Sequence, residues 1–174
     1  MRRLIIIRGN SGSGKTSVAK ALQTKFGPNT MLISHDMIRM QILHVWGNDG
    51  IEKSESLMIN LLKYGRENSE ITILEGILNS KEYNLLYETA VKEYGSNIFA
   101  YYYDLPFEET ILRHSTKPNR KDFDEEDMRK WWNEKDYLSI ISETIFGKEI
   151  GLEDAVECIY QQVTVHKNTT AQNE

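Results

Sequence analysis

The chain of 174 residues has few of the features that anchor or cross-link a protein. It contains one cysteine, Cys158, so no disulfide can form within the chain, and a reducing cytoplasm is the expected compartment. Its apolar runs are short, and none approaches the length of a membrane-spanning helix. We therefore expect a cytoplasmic protein with no membrane partner.

An excess of positive charge is also missing. The formal net charge is −5, which argues against a surface dedicated to nucleic acid or to an anionic membrane. The length is enough to bury one hydrophobic core and too short for a second full domain. We expect a single domain over residues 1–165 and a polar, disordered tail over residues 166–174.

A glycine-rich motif near the N-terminus is the most informative feature that is present. It fits the pattern G-x-x-x-x-G-K-[ST] of phosphate-binding loops and directly follows the apolar run at residues 4–7. Its glycines allow backbone amides to converge on phosphate oxygens. The lysine then reaches the β- and γ-phosphates, and the threonine hydroxyl is placed to ligate Mg²⁺. The eight residues of this predicted nucleotide site are Gly9, Asn10, Ser11, Gly12, Ser13, Gly14, Lys15 and Thr16.

Short apolar runs alternate with segments of helical spacing along most of the chain. Four runs are typical of buried strands, at residues 4–7, 31–33, 71–74 and 98–103. Such alternation predicts an α/β fold with three layers, in which a central parallel sheet has helices on both faces. Ligands bind such sheets at the carboxyl ends of the strands, so the residues that follow each strand are the candidate site.

Asp36 and Arg39 follow the second expected strand. If a helix starts at Met37, Asp36 lies at its mouth and Arg39 points back toward the same region one turn on. Phosphoryl transfer needs a carboxylate to orient and deprotonate the acceptor hydroxyl and a cation to hold the acceptor, and this pair fits both roles. The alternative interpretation is a helix N-cap at Asp36 and a solvated arginine.

Carboxylate and cationic groups also follow the next two strands. Glu75 is placed to hold the Mg²⁺ shell or to contact the acceptor, although a strand-end glutamate before a turn glycine is the alternative. The helix after the fourth strand ends near Arg113 and leads into a basic segment that includes Arg120. Residues 113–130 are thus expected to form a lid that closes over the phosphates, or else an ordinary solvated basic loop.

Together these residues resemble the small P-loop kinases and phosphotransferases that act on metabolites, nucleosides or antibiotics. The group includes uridine-kinase-like and adenylate-kinase-like enzymes, shikimate and gluconate kinases, chloramphenicol phosphotransferase, zeta toxins and the kinase half of phage polynucleotide kinase. The resemblance covers about residues 4–163. It implies a three-layer P-loop fold with a small helical lid, ATP and Mg²⁺ as cofactors, and transfer of the γ-phosphoryl group to a hydroxyl of a small molecule.

The resemblance also implies roles for individual residues. Asp36 corresponds to the base that activates the acceptor hydroxyl, Arg39 to an acceptor-holding arginine, and Arg113 and Arg120 to the lid arginines. Thr16 and Glu75 would serve the metal, with Glu75 also a candidate substrate contact. Many relatives have aspartate where this chain has Glu75, which leaves open whether Glu75 serves metal or substrate.

Other functions make different demands on the sequence. A regulatory GTPase should carry D-x-x-G after its third strand, and no such pattern occurs in the chain. Two alternatives stay open: a nucleotide-binding module without transferase activity, which has no need of Asp36, and a kinase of polynucleotide 5′-hydroxyls. The negative net charge of the chain argues against nucleic acid as a partner. The identity of the acceptor, the purine preference set by a loop around residues 144–151, and the choice between monomer and homodimer also stay open.

Overall fold

An all-parallel sheet of five strands forms the centre of the molecule. The computed structural model describes residues 2–116 and 124–170. The strands are β1 (Arg3–Gly9), β2 (Thr30–Ser34), β3 (Ile71–Gly76), β4 (Ile98–Tyr103) and β5 (Glu143–Phe146), in the spatial order β2-β3-β1-β4-β5. The predicted α/β fold with a parallel central sheet is therefore confirmed.

Seven α-helices surround the sheet in the described ranges. They are α1 (Lys15–Phe26), α2 (His35–Met37), α3 (Gly47–Asn68), α4 (Asn84–Tyr94), α5 (Phe107–Ser115), α6 (Glu125–Lys130) and α7 (Leu152–Thr170). A π-helix, Ile38–Leu43, continues directly from α2, and a 3₁₀ turn, Gly95–Asn97, precedes β4. Helix α7 extends into the stretch that the sequence marks as a polar tail.

The apolar run of β1 shows why the sheet has helices on both faces. Leu4 and Ile6 belong to a cluster with side chains of α3 and α4, whereas Ile5 and Ile7 belong to a second cluster with side chains of α1 and α7. All four are fully buried. Burying one such side chain stabilises the fold by roughly 1.5–3 kcal/mol. A central parallel strand therefore needs a continuous apolar run rather than an alternating one.

The register of the sheet brings the candidate residues to one edge. Ser34 in β2 pairs with Glu75 in β3, while Arg8 in β1 pairs with Gly76. The parallel strands thus all end beside the start of the phosphate loop. Glu75 is the penultimate residue of β3 rather than the residue after it, because the strand continues to Gly76.

The fifth strand has no counterpart in the sequence-based prediction. It is an edge strand of four residues in which Thr144 and Ile145 are exposed and Phe146 is buried, so it lacks the apolar run of the other four. It occupies the beginning of the stretch expected as a purine loop, which leaves residues 147–151 as the connection to α7. Among the described helices, none has the length and apolar character needed to cross a membrane.

Candidate active site

The phosphate loop joins β1 to α1 and depends on glycine at two close approaches. Gly9 has a φ of 139°, and a Cβ there would lie 2.9 Å from Cβ of Tyr103. Gly12 has a φ of 81°, and a Cβ there would lie 2.5 Å from the carbonyl oxygen of Thr110. Any side chain at either position would clash and strain the backbone. Glycine at these positions therefore lets the loop pass close to β4 and α5 at the N-terminus of α1, the end of a helix that favours an anion.

Lys15 lies over the loop rather than in solvent. Its side chain is buried, and Nζ donates hydrogen bonds to the carbonyl oxygen of Asn10 at 2.7 Å and to Oγ of Ser13 at 3.1 Å. These contacts hold the ammonium group beside the amides that a phosphate would use. The geometry fits the predicted role of Lys15 as a phosphate ligand.

Thr16 and Glu75 meet at the base of the loop. Glu75 is only 1% exposed, and its two carboxylate oxygens accept hydrogen bonds from Oγ1 of Thr16 at 3.1 Å and Oγ of Ser34 at 2.5 Å. The hydroxyl donors compensate for the burial of the negative charge. This set of oxygens suits a hard cation such as Mg²⁺. In residues 2–116 and 124–170 no cluster of three or more acidic, histidine or cysteine side chains forms a metal site by itself.

Asp36 lies in the first turn of α2. The helix begins at His35, whereas the sequence analysis placed its start at Met37. Its side chain is 70% exposed. The polar contact with His35 lowers the pKa of Asp36 below its usual value, and the positive charges of Lys15 and Arg39 lower it further. The carboxylate thus lies in the field of the loop lysine and is ionised at neutral pH.

Arg39 occupies the π-helix, and its guanidinium packs against the start of α3. One terminal nitrogen, Nη2, donates a hydrogen bond to the carbonyl oxygen of Gly47 at 3.2 Å, and a Cβ on Gly50 would lie 2.8 Å from it. The buried Nε has no hydrogen-bond partner among the described residues. A buried donor without a partner is costly, so a rearrangement that gives this nitrogen an acceptor would be favourable.

Arg113 links the phosphate loop to the connection after β5. Its Nε pairs with Oε1 of Glu109 at 2.6 Å, while Nη1 donates to the carbonyl oxygen of Ser13 at 3.3 Å and Nη2 to that of Lys148 at 2.9 Å. The structure thus brings Arg113 to the loop, as predicted for a cation near the phosphates. The second predicted lid arginine, Arg120, lies outside the described residues.

Residues 131–138, here called the return segment, form a contact with the loop that the sequence did not reveal. Asn10 Nδ2 donates to the carbonyl oxygen of Asn133 at 2.7 Å, and the backbone N–H of Asn133 donates to Asn10 Oδ1 at 2.9 Å. The side chain of Asn10, predicted to bind nucleotide, is therefore occupied in anchoring the loop. Because the two asparagines are 123 residues apart and of ordinary type, no local pattern identifies the pair.

Arg8 anchors the same segment from within the sheet. Its fully buried guanidinium pairs with Oδ2 of Asp136 at 2.7 Å and with Oε1 of Glu143 at 2.9 Å, and it donates to the carbonyl oxygen of Leu78. A charge inside the apolar run of a central strand requires such partners. That mismatch is the one sequence signal that pointed to the network, although it does not name the partners.

His35 is the other site residue that sequence analysis missed. Its buried ring packs edge-on against Tyr83, and Nε2 lies 2.6 Å from the Tyr83 hydroxyl. Nδ1 lies 3.5 Å from Oδ1 of Asp36. The only hint in the sequence is its position directly before Asp36.

Comparison with known proteins gives structural relatives only. No protein-family model matches the chain, and no curated protein matches it by sequence. A gluconokinase from Sinorhizobium meliloti 1021 is similar in structure, with a TM-score of 0.67 and 16% identity over 100% of both chains. The APS kinase of Mycobacterium tuberculosis, solved with AMPPNP and APS, gives a TM-score of 0.62 and 15% identity over 95% of this chain and 98% of its own.

A third relative is the tunicamycin resistance protein of Deinococcus radiodurans. Its TM-score is 0.64 and its identity 17%, over 93% of this chain and 96% of its own. The five-stranded parallel sheet with its surrounding helices is thus the fold of P-loop kinases. At these identities the likeness establishes the fold, and the chemistry has to be argued from the site.

Proposed function

We propose that this protein is an ATP-dependent kinase that transfers the γ-phosphoryl group to a hydroxyl of a small molecule. The observation that carries the proposal is the position of Asp36. Its exposed carboxylate lies in the field of Lys15, at the edge of the sheet where the phosphate loop begins. A module that only binds nucleotide has no use for an ionised carboxylate beside the transferred group.

Each residue then has a physical role. Lys15 and the loop amides hold the phosphates, and Arg113 adds positive charge at Ser13. Thr16 and Glu75 would hold Mg²⁺, which neutralises charge on the phosphates when bound. Asp36 accepts the hydrogen bond of the acceptor hydroxyl and orients its oxygen, and the guanidinium of Arg39, whose charge already acts on Asp36, holds the acceptor.

The lowered pKa of Asp36 is compatible with this role. Phosphoryl transfer passes through a loose transition state, so the carboxylate needs to orient the hydroxyl more than to abstract its proton early. Because the pKa lies below the ordinary value, Asp36 stays ionised as pH falls through the mildly acidic range. Turnover should therefore show no loss from Asp36 protonation between roughly pH 5 and pH 8.

Two structural relatives, the gluconokinase and the APS kinase, carry names that refer to small acceptors, which supports a small molecule here. The net charge of −5 supports the same choice over a polynucleotide.

The test compares Asp36→Asn with the unchanged protein in an assay of ADP release from Mg-ATP. Nucleosides, sugars, hydroxy acids, antibiotics and a 5′-hydroxyl oligonucleotide serve as acceptors. We expect stimulation by one small acceptor, and a loss of at least ~100-fold in turnover for the variant with ATP binding retained. Asp49→Asn, an exposed aspartate at the start of α3, is the matched control.

Three outcomes would contradict the proposal. Full turnover of Asp36→Asn would remove the carboxylate from the chemistry. Stimulation by the oligonucleotide alone would indicate a polynucleotide kinase. Tight binding of ATP with no release stimulated by any acceptor would favour a binding module.

A further inference from the structure

A buried line of polar side chains ends at the Asp36 carboxylate. Ser54 Oγ donates to the carbonyl oxygen of Ile51 at 2.9 Å and lies 3.3 Å from the Tyr83 hydroxyl. Tyr83 in turn lies 2.6 Å from Nε2 of His35, whose Nδ1 lies 3.5 Å from Oδ1 of Asp36. The line therefore runs from α3 to the exposed carboxylate through two buried rings.

The proton of the Tyr83 hydroxyl decides the state of His35. That hydroxyl has a single proton, which it can donate to Ser54 or to His35. The contact to His35, at 2.6 Å, is shorter than the 3.3 Å contact to Ser54 and falls below the usual N–H···O range of about 2.7–3.2 Å, so the geometry favours the Tyr83 hydroxyl as the donor to His35. An imidazole that accepts at Nε2 carries its own proton on Nδ1.

The electrostatics at Asp36 select the same tautomer. A proton on Nε2 alone would leave the lone pair of Nδ1 facing an ionised carboxylate oxygen at 3.5 Å, which is repulsive. A proton on Nδ1 makes the same contact attractive. Two separate contacts, one at each ring nitrogen, therefore favour the Nδ1–H form.

An ordinary core histidine would satisfy both ring nitrogens, and this one does not. Nδ1 is buried and has no hydrogen bond of good geometry within residues 2–116 and 124–170. The carboxylate that the proposed reaction uses lies 3.5 Å from it. Hydrogen bonds in catalytic sites are often long before substrate binds and shorten in the complex, so an unfinished contact at this point is informative.

We propose that His35 is a positioning residue, held by Tyr83 as the neutral Nδ1–H tautomer, which donates to Asp36 and fixes the carboxylate toward the acceptor hydroxyl. This rests on the proposed function through the role of Asp36. The tautomer itself can be tested without any acceptor.

The first experiment measures the tautomer by long-range ¹H–¹⁵N correlation of the histidine rings in the full-length protein at neutral pH. His35→Gln identifies the His35 signals among those of the four histidines. We expect a neutral ring with the proton on Nδ1, and a shift toward the Nε2–H form in Tyr83→Phe. A neutral Nε2–H ring or a doubly protonated ring in the unchanged protein would overturn the proposal.

The second experiment replaces His35 with asparagine or with glutamine. Each side-chain amide places a nitrogen near the position of one ring nitrogen. The side-chain nitrogen of asparagine lies near the position of Nδ1, and that of glutamine lies near Nε2. We expect His35→Gln to lower turnover about 10-fold with the KM for ATP nearly unchanged, and His35→Asn to retain most of the turnover. Circular dichroism and thermal melting show whether each variant is folded.

The pattern of losses separates the possible failures. Equal losses in His35→Asn and His35→Gln would mean that the ring only fills space, and the positioning role would fall. If Asp36→Asn loses turnover in the same assay while His35→Gln keeps it, the proposed function stands and the inference fails. If Asp36→Asn keeps full turnover, the proposed function is contradicted, and the positioning role of His35 is contradicted with it.

Discussion

The two sides of the candidate site differ in how firmly they are held. On the phosphate side, Arg8, Asn10 and Lys15 are buried and hydrogen-bonded to the sheet, the return segment and the loop itself. On the acceptor side, from Asp36 to Trp46, large apolar side chains are exposed, with Trp46 at 55%. Under the proposed function, this contrast predicts that phosphate binding is preorganised, whereas acceptor choice depends on side chains that remain open to solvent.

The backbone of the acceptor side also departs from regular helix. The π-helix Ile38–Leu43 is followed by His44, which has a φ of 52°, a left-handed conformation that costs energy for a residue other than glycine. π-Helical turns and such conformations occur often at functional sites. The irregular backbone carries Arg39, whose guanidinium packs against the start of α3, so it shapes the region that the proposed acceptor would enter.

The largest effect is expected on the phosphate side, for Lys15→Ala. Loss of the ammonium group beside the loop amides should weaken ATP binding and reduce transfer by at least ~1,000-fold. Titration calorimetry with Mg-ATP and the ADP-release assay measure the two effects. Lys20→Ala, which removes an exposed lysine from α1, should change neither. Transfer that survives Lys15→Ala would mean that the preorganised side does not bind the reacting phosphates.

Arg8→Met tests what holds the phosphate side in place. The change leaves the carboxylates of Asp136 and Glu143 without their buried cation, and such a loss typically costs about 3–5 kcal/mol. We expect a fall of that size in the free energy of unfolding, measured with urea.

Arg129→Met is the matched control for that prediction. Arg129 pairs with Glu125 at 3.0 Å on the exposed face of α6 and packs over Phe107. Its removal should cost no more than about 1 kcal/mol. Similar losses in the two variants would show that the Arg8 network does not hold the return segment more firmly than a surface pair.

The same contrast explains what the sequence could predict. The presence of the first four strands and the loop was predictable because local patterns encode them: β-branched runs for strands, and glycines with Lys15 and Thr16 for the loop. The partners of Arg8 and Asn10 were not, since they lie between 70 and 135 residues away and depend on tertiary packing. The early start of α2 and the π-helix were also missed, because propensity does not distinguish one helical hydrogen-bond pattern from another.

Arg39→Ala tests the acceptor side. Because the proposed function gives the Arg39 guanidinium the role of holding the acceptor, its loss should raise the acceptor KM about 20-fold and leave the KM for ATP nearly unchanged. Lys53→Ala removes an exposed cation from α3 and serves as the control. An unchanged acceptor KM in Arg39→Ala would remove this arginine from the site and leave the exposed apolar side chains as the source of specificity.

The smallest effect is expected for Asn10→Ala. This variant separates the attachment of the phosphate loop to the return segment from phosphate binding itself. The change removes both hydrogen bonds to Asn133 without touching the loop lysine. If anchoring preorganises the loop, the Kd for ATP should rise about 5-fold while turnover at saturating ATP stays nearly normal, because the residues around the transferred group are intact. Asn84→Ala, which breaks an exposed amide bond to Glu88 on α4, should leave the Kd unchanged. A fall in turnover as large as that of Asp36→Asn would instead mean that Asn10 acts on the reacting phosphate itself.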